Sequence, residues 1–304
     1  VPEKINISLL ATINTSIFIF IFTKKKPTMN KTIFYIAGIL IFLTTACVQS
    51  PDFYTYDYPE FALDQGPHNS NVDDNVIFQG GRVFTYSCQV FDSLGVEEKI
   101  ITTYNFNKYN PVDWKRKKLP LEDVLVSEYP IDSIRLKVFN NTGNSTQADQ
   151  QTMIVYEYFN EKGTIVPETE RTGLVEDSTA IALNPPRNSG FALLQFSPYP
   201  EIEFPLSVGK SWNSSQTIPI EWAVLLKMEF ENPVNVYSTF TVKARTTIET
   251  PLGSQTVWVI EGIGENRFRD TQTTLYFNKE IGFVKMEFEN VDGSRIGMSL
   301  ERVQ

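Results

Sequence analysis

The sequence predicts an all-β fold, an antiparallel sandwich or half-barrel with two β lobes as an open variant, and three observations carry that prediction. Short alternating apolar and polar runs recur from residue 76 to the end, turn residues punctuate them, and no long amphipathic helical period interrupts them. Composition agrees: 22 Phe and 13 Tyr stand against one His and two Cys in 304 residues. Such a mixture suits pleated, half-buried surfaces and is poor in the side chains of catalysis.

The runs Val76 to Val90, Lys99 to Asn107, Ser133 to Phe139, Thr152 to Phe159, Ala180 to Leu183 and Phe191 to Phe196 read as strands. Asn140-Asn141-Thr142-Gly143-Asn144 and Asn160-Glu161-Lys162-Gly163 read as the turns between some of them. Alternation is clearest near the end. Val284, Met286 and Phe288 fall on one face of a strand and Lys285, Glu287 and Glu289 on the other, before Val291-Asp292-Gly293-Ser294 turns the chain into Arg295 to Val303. The hexapeptide Lys227 to Asn232 is identical to Lys285 to Asn290, but the flanks diverge, so it reads as a recurring half-buried strand pattern and not a domain repeat. Pro185-Pro186-Arg187-Asn188-Ser189-Gly190 and Ser197-Pro198-Tyr199-Pro200 break the chain near its middle. A division into lobes 76–188 and 189–304 and a single continuous sheet are both open.

The first 75 residues are of a different kind. The formal charge of −9 divides into +4 on residues 1–46 and −13 on the rest. Met29-Asn30-Lys31, the apolar stretch Ile33 to Leu43 and the small residues Thr44-Thr45-Ala46 before Cys47 have the layout of a secretory signal. The apolar stretch is too short to span a bilayer, which takes about 20 residues. Leu43-Thr44-Thr45-Ala46-Cys47 resembles the lipobox of bacterial lipoproteins. That resemblance implies cleavage before Cys47, lipidation of its thiol and acylation of its amine, with Cys47 as the first mature residue. In that family an Asp after the Cys commonly retains the protein at the inner membrane; here Val48 follows, so the outer membrane is expected, with the protein facing the periplasm or the surface. Residues 29–46 are then the signal peptide and 47–75, rich in Pro, Tyr, Asp, Asn and Gly, a lipidated tether. A second apolar run, Ile17 to Phe22, has no place in that layout, so initiation is expected at Met29 with 1–28 upstream of it; the alternative is an extended, positively charged leader.

Three stretches near the end, Pro205 to Trp212, Glu249 to Gly253 and Tyr276 to Lys285, resemble the strand and turn pattern of the TapB-like periplasmic domains and related lipoproteins of unknown function. The resemblance covers about the last hundred residues. It implies an antiparallel envelope domain and carries over no catalytic residue.

Candidates for chemistry are few. His68 lies in the tether, away from the rigid setting that a nucleophile's base needs. Gly209-Lys210-Ser211-Trp212-Asn213 lacks the final Gly of a nucleophile elbow. Asn69 to Asn75 alternates oxygen side chains, but Asp74 stands where a calcium loop needs Gly and Gly80 where it needs Glu. No metal site or cofactor is expected. Once Cys47 is lipidated, Cys88 has no disulfide partner and is expected in or near the core.

Glu201 and Glu203 fall on one face of a short strand, about 6.5–7 Å apart, a spacing that overlaps the carboxylate pair of inverting glycosidases; the alternative is a solvated strand face. Trp114 to Lys118 is a basic run with an aromatic neighbour, read as a solvated loop with contact to anionic headgroups as the alternative. Trp212, Trp222 and Trp258 are ligand-pocket candidates, against the commoner role of aromatic residues in core packing. The functional expectation is a non-catalytic binding or interaction module tethered to the outer membrane, engaging an envelope protein, a glycan or an apolar ligand. An acidic body does not suit nucleic acid. The enzymatic alternative is a carboxylate-dependent hydrolase acting on an envelope glycan.

Overall fold

The computed structural model describes residues 75–104, 112–121, 128–139, 151–226 and 228–304. Among these residues the strands are β1 (Val83–Phe91), β2 (Glu97–Tyr104), β3 (Val112–Lys118), β4 (Glu128–Pro130), β5 (Ser133–Val138), β6 (Thr152–Phe159), β7 (Ile165–Glu176) and β8 (Ala180–Leu183). They continue as β9 (Glu201–Glu203), β10 (Ser211–Ile218), β11 (Val234–Thr250), β12 (Gly253–Glu265), β13 (Thr271–Asn278), β14 (Gly282–Glu289) and β15 (Arg295–Val303). All belong to one sheet, in the order β10-β11-β12-β13-β14-β15-β1-β5-β6-β7-β8-β9, with β2 branching from β1 to pair with β3 and β4. The ends of that path meet through side chains: the Lys210 ammonium, just before β10, donates to the Glu203 carbonyl on β9 at 2.9 Å. The sheet is an all-antiparallel, nearly closed half-barrel.

Alternation fixes which side faces in. On β14, Val284, Met286 and Phe288 are buried while Lys285, Glu287 and Glu289 face out, as the sequence predicts. The register sets Met286 opposite Met298 and Phe288 opposite Ile296 on β15. Asn290 and Ser294 close the hairpin through main-chain hydrogen bonds, and Gly293 takes φ +79°, a conformation that only glycine adopts without strain. Phe84, Tyr86, Cys88 and Val90 of β1 continue the same core, as do Ile134 and Leu136 of β5.

Strands from either side of residue 188 pair directly, β1 with β15, within the one sheet. The proline-rich break lies inside it. Asn184, Arg187, Asn188, Phe191, Leu194 and Phe196 are all buried. Here one sequence expectation is corrected: Phe191 to Phe196 is no strand but part of a 3-10 helix, Ser189–Phe196. A segment buried on every side has no solvent face to create a two-residue period, and its polar main chain must find partners locally or from side chains. Phe191 N–H donates to Asn188 O and Ser197 N–H to Leu194 O. The carbonyls of Gln195 and Ser197 accept from the Gln216 amide at 2.9 Å each. Those of Phe196 and Pro198 accept from the Thr271 and Thr273 hydroxyls at 2.7 and 2.8 Å. Space for this filling comes from glycine: a Cβ at Gly262 would stand 2.6 Å from the Phe240 ring and 3.0 Å from Pro198.

Strand β7 escapes the sequence reading because Glu170 and Thr172 occupy positions where an apolar residue would signal the period, and both are buried. The repeated hexapeptide is also corrected. Its second copy is strand β14, whereas residues 228–232 form none, and Phe230 packs in a separate cluster with Trp222, Phe196 and Val236.

Candidate functional site

The seam where β9 meets β10 gathers more of the sequence candidates than any other place described. In Glu201-Ile202-Glu203, Ile202 goes into the core and both carboxylates take the other face, as expected. Glu203 receives the Lys210 ammonium at 3.1 Å, while the same ammonium caps its carbonyl. The Glu201 carboxyl is raised above the ordinary range, first by burial and also by the charge of Glu203; the Ser214 hydroxyl and the Trp212 indole N–H oppose the shift. A carboxyl that keeps its proton to higher pH is better suited to act as a general acid. Its neighbour, however, is tied to Lys210 and lies on the same three-residue strand, whereas glycoside cleavage needs two carboxyl groups flanking one bond.

The three tryptophans lie in different surroundings. Trp212 stacks on Phe240, ring centroids 5.3 Å apart and planes 11° apart, inside the main core. Trp222 is buried in the smaller cluster, with the Arg187 guanidinium 5.6 Å from its ring. Trp258 is half-buried, and Arg245 and Lys279 approach its ring at 5.4 and 6.0 Å. Between the core strands and the buried prolines, Tyr86, Tyr156, Pro185, Pro186 and Phe288 help line a cavity of about 10 Å³. That is at the lower limit for a single water molecule.

The basic run Trp114 to Lys118 is corrected from loop to strand, since it lies on β3. Lys115 and Lys117 both bind the buried Glu128, Arg116 reaches Asp292 at 3.0 Å, and Lys118 reaches Asp92 at 3.2 Å. Acidic partners thus occupy every cation of the run. Cys88 sits on the inward face of β1, where burial pushes its thiol up to about 12. Among the described residues no cluster of three His, Cys, Asp or Glu is arranged to hold a metal. Cys47, Met29, His68 and residues 69–74 lie outside the described residues.

Sequence reasoning missed the most heavily bonded carboxylates. Glu170 accepts from the Tyr158 hydroxyl at 3.1 Å, from Arg187 Nε at 2.9 Å, and from the main-chain N–H groups of Arg187 and Asn188 at 2.7 and 3.0 Å. Glu176 accepts from three successive N–H groups, Val76, Ile77 and Phe78, at 3.1, 2.8 and 2.8 Å. Each ties β7 to a segment outside it, Glu170 to Arg187 and Asn188 and Glu176 to Val76, Ile77 and Phe78. The one available signal was Arg187 itself, a single cation within an otherwise uncharged stretch from 180 to 200.

The described residues define an antiparallel β half-barrel with the buried segment 189–196 packed against its core. It is similar to several solved structures. One is described as an exported protein with YmcC-like fold from Bacteroides fragilis, 11% identical, covering 74% of this chain and 96% of that chain, with TM-score 0.34. Another is described as a lipoprotein from Parabacteroides distasonis, 12% identical, covering 76% and 100%, with TM-score 0.38. A third is the hypothetical lipoprotein YmcC from Escherichia coli, 8% identical, covering 77% and 90%, with TM-score 0.30. No family model matches the chain, and no curated protein does.

Proposed function

We propose that this chain is an envelope lipoprotein, anchored through Cys47 to the outer membrane, whose β domain is a non-catalytic binding or interaction module. The observation that carries this reading is the sequence Leu43-Thr44-Thr45-Ala46-Cys47 at the end of a short apolar run, with Val48 after it and a polar linker before the domain. Acyl chains contribute about 0.8 kcal/mol per buried CH₂, and more than one chain is needed for stable attachment. The packed interior supports recognition on the outside of the sheet, since a ligand of ordinary size would have to displace Phe191, Phe196 and their neighbours. Replacing Cys47 by Ser should release the mature body from membranes and abolish incorporation of labelled fatty acid. A variant that stays acylated and membrane-bound refutes the anchor.

One observation favours the second reading, a carboxylate-dependent hydrolase of an envelope glycan: the raised pKa of Glu201 beside Glu203. It requires that a purified protein cleave such a glycan and that Glu201→Gln, which keeps the shape of the side chain, stop the cleavage.

A further inference from the structure

Strands β10 and β11 turn every second residue to the outside of the sheet. From Ser211 to Thr217 and from Asn235 to Thr241 those outward residues are Ser, Thr, Asn and one Tyr, with no charge among them. By strand rise the face is about 20 Å long. It contrasts with other outward surfaces of the sheet, where Lys285 faces Glu287, Lys137 faces Glu157 and Lys243 faces Glu261 in ion pairs. In a body carrying −13, an uncharged strip of this length is a local departure.

Its side chains are ordered by one another. The Thr239 hydroxyl donates to Asn213 Oδ1 at 3.0 Å, and the Thr217 hydroxyl to Asn235 Oδ1 at 2.9 Å. The Asn235 amide in turn donates to the Tyr237 hydroxyl at 3.4 Å. Residues two apart share one face of a strand about 6.5–7 Å apart, and that contact brings the Tyr237 hydroxyl close to Asn235 on the outward face. Tyr237 itself is 60% exposed. Ser215 stands opposite it on β10 and Glu265 on β12.

An exposed aromatic ring beside hydroxyl and amide groups that both donate and accept hydrogen bonds offers contacts to the two sides of a sugar: the apolar C–H face of a pyranose and its equatorial hydroxyls. An anionic polymer would call for Lys and Arg, and a protein partner for contiguous apolar surface at the centre. We propose that the outward face of β10 and β11 binds a neutral glycan, with Tyr237 as the stacking platform and Asn213, Thr239 and Asn235 as the hydrogen-bonding groups. This deepens the reading of the domain as a binding module and depends on it.

The test is affinity electrophoresis of the full-length protein in native gels holding dextran, galactomannan or a mixed-linkage β-glucan, with dextran sulfate as the charged control. Retardation is expected in at least one neutral gel. Tyr237→Ala and Asn213→Ala should each weaken it by about tenfold or more in Kd, equivalent to about 1.4 kcal/mol, while Tyr237→Phe, which keeps the ring, retains it. An unchanged denaturant midpoint shows that the variants are folded. No retardation in any neutral gel, or retardation that survives Tyr237→Ala, overturns the proposal. So does a Tyr237-dependent dimer in sedimentation, which would assign the face to a second copy of the chain. Fractionation of Cys47→Ser leaves this face untouched, so failure here and failure of the membrane anchor are separate results.

Discussion

Glu170 and Arg187 form an ion pair of 2.9 Å between side chains that are 0% and 3% exposed. The pair joins β7 to the segment that fills the half-barrel, and main-chain N–H groups of Arg187 and Asn188 complete the carboxylate's bonding. Desolvating two charges costs several kcal/mol, which their attraction recovers only when the remaining lone pairs and protons are bonded. Glu170 meets that condition with four donors, and the Arg187 guanidinium also donates to Arg171 O at 3.2 Å.

Removing one partner leaves the other buried and uncompensated. Glu170→Ala should therefore destabilise the domain by about 3–5 kcal/mol. In a double-mutant cycle with Arg187→Met, the second substitution should add much less than it costs alone, because the charge it removes has already lost its partner. Equilibrium denaturation of the four proteins measures this. Additive costs would show that the pair is not a unit.

Gly262 tests how tightly the buried segment lies against β12. Its missing Cβ leaves the space taken by Phe240 and Pro198. Gly262→Ala should cost about 1–3 kcal/mol, the range for forcing extra methyl groups into a packed core. The same change at Gly297, where a Cβ would meet no atom within 4 Å, should be far milder. Equal denaturant midpoints for the two variants would contradict the packing.

The pH dependence of the seam follows from Glu201. Its folded pKa is raised above the unfolded value of 4.5, so the stabilising contribution of its protonation is fully present below 4.5 and is lost as pH rises through the folded value. Glu201→Gln removes that loss. Relative to wild type, the variant should gain stability as pH rises from 3.5 through the folded pKa and then hold a constant advantage. Denaturant midpoints of both proteins between pH 3.5 and 8 are the measurement, and an advantage that shrinks with rising pH contradicts the assignment. Lys210 and Glu203, the charged neighbours across and along the seam, are unchanged in the comparison.

What the sequence could show depended on which residues face inward. Thr152 to Phe159 and Ala180 to Leu183 match β6 and β8 end to end, since apolar side chains occupy their core positions. Strand β7 was hidden because Glu170 and Thr172 face in, and only partners distant in sequence make those residues tolerable there. Likewise the hexapeptide Lys-Met-Glu-Phe-Glu-Asn forms a strand where β13 and β15 flank it and none where Phe230 packs against Phe196. Strand preference is a matter of neighbours more than of the local chain. Of the site, the pairing of Glu201 with Glu203 on one face was legible, but the closure of β9 against β10 was not. Trp212 and Trp222 pack in separate clusters.

The C-terminal hairpin gives the sharpest test of register. Phe288 is 2% exposed and faces Ile296 across the hairpin and Thr273 on β13, so its ring is enclosed on both sides of β14. Phe288→Ala should cost about 3–5 kcal/mol, the transfer of the ring to water together with the cavity left behind. Glu287 projects from the opposite face, where it meets the Lys285 ammonium at 2.8 Å and accepts from the Tyr276 hydroxyl at 3.1 Å. Both partners are partly exposed, and an exposed ion pair contributes at most about 1 kcal/mol; Gln also retains an oxygen that can accept from Tyr276. Glu287→Gln should therefore change stability by less than about 0.5 kcal/mol. A slip of one residue would exchange the two faces, so denaturant titration reads the register directly. A nearly silent Phe288→Ala beside a strongly destabilising Glu287→Gln would place the carboxylates of β14 in the core and overturn the strand as described.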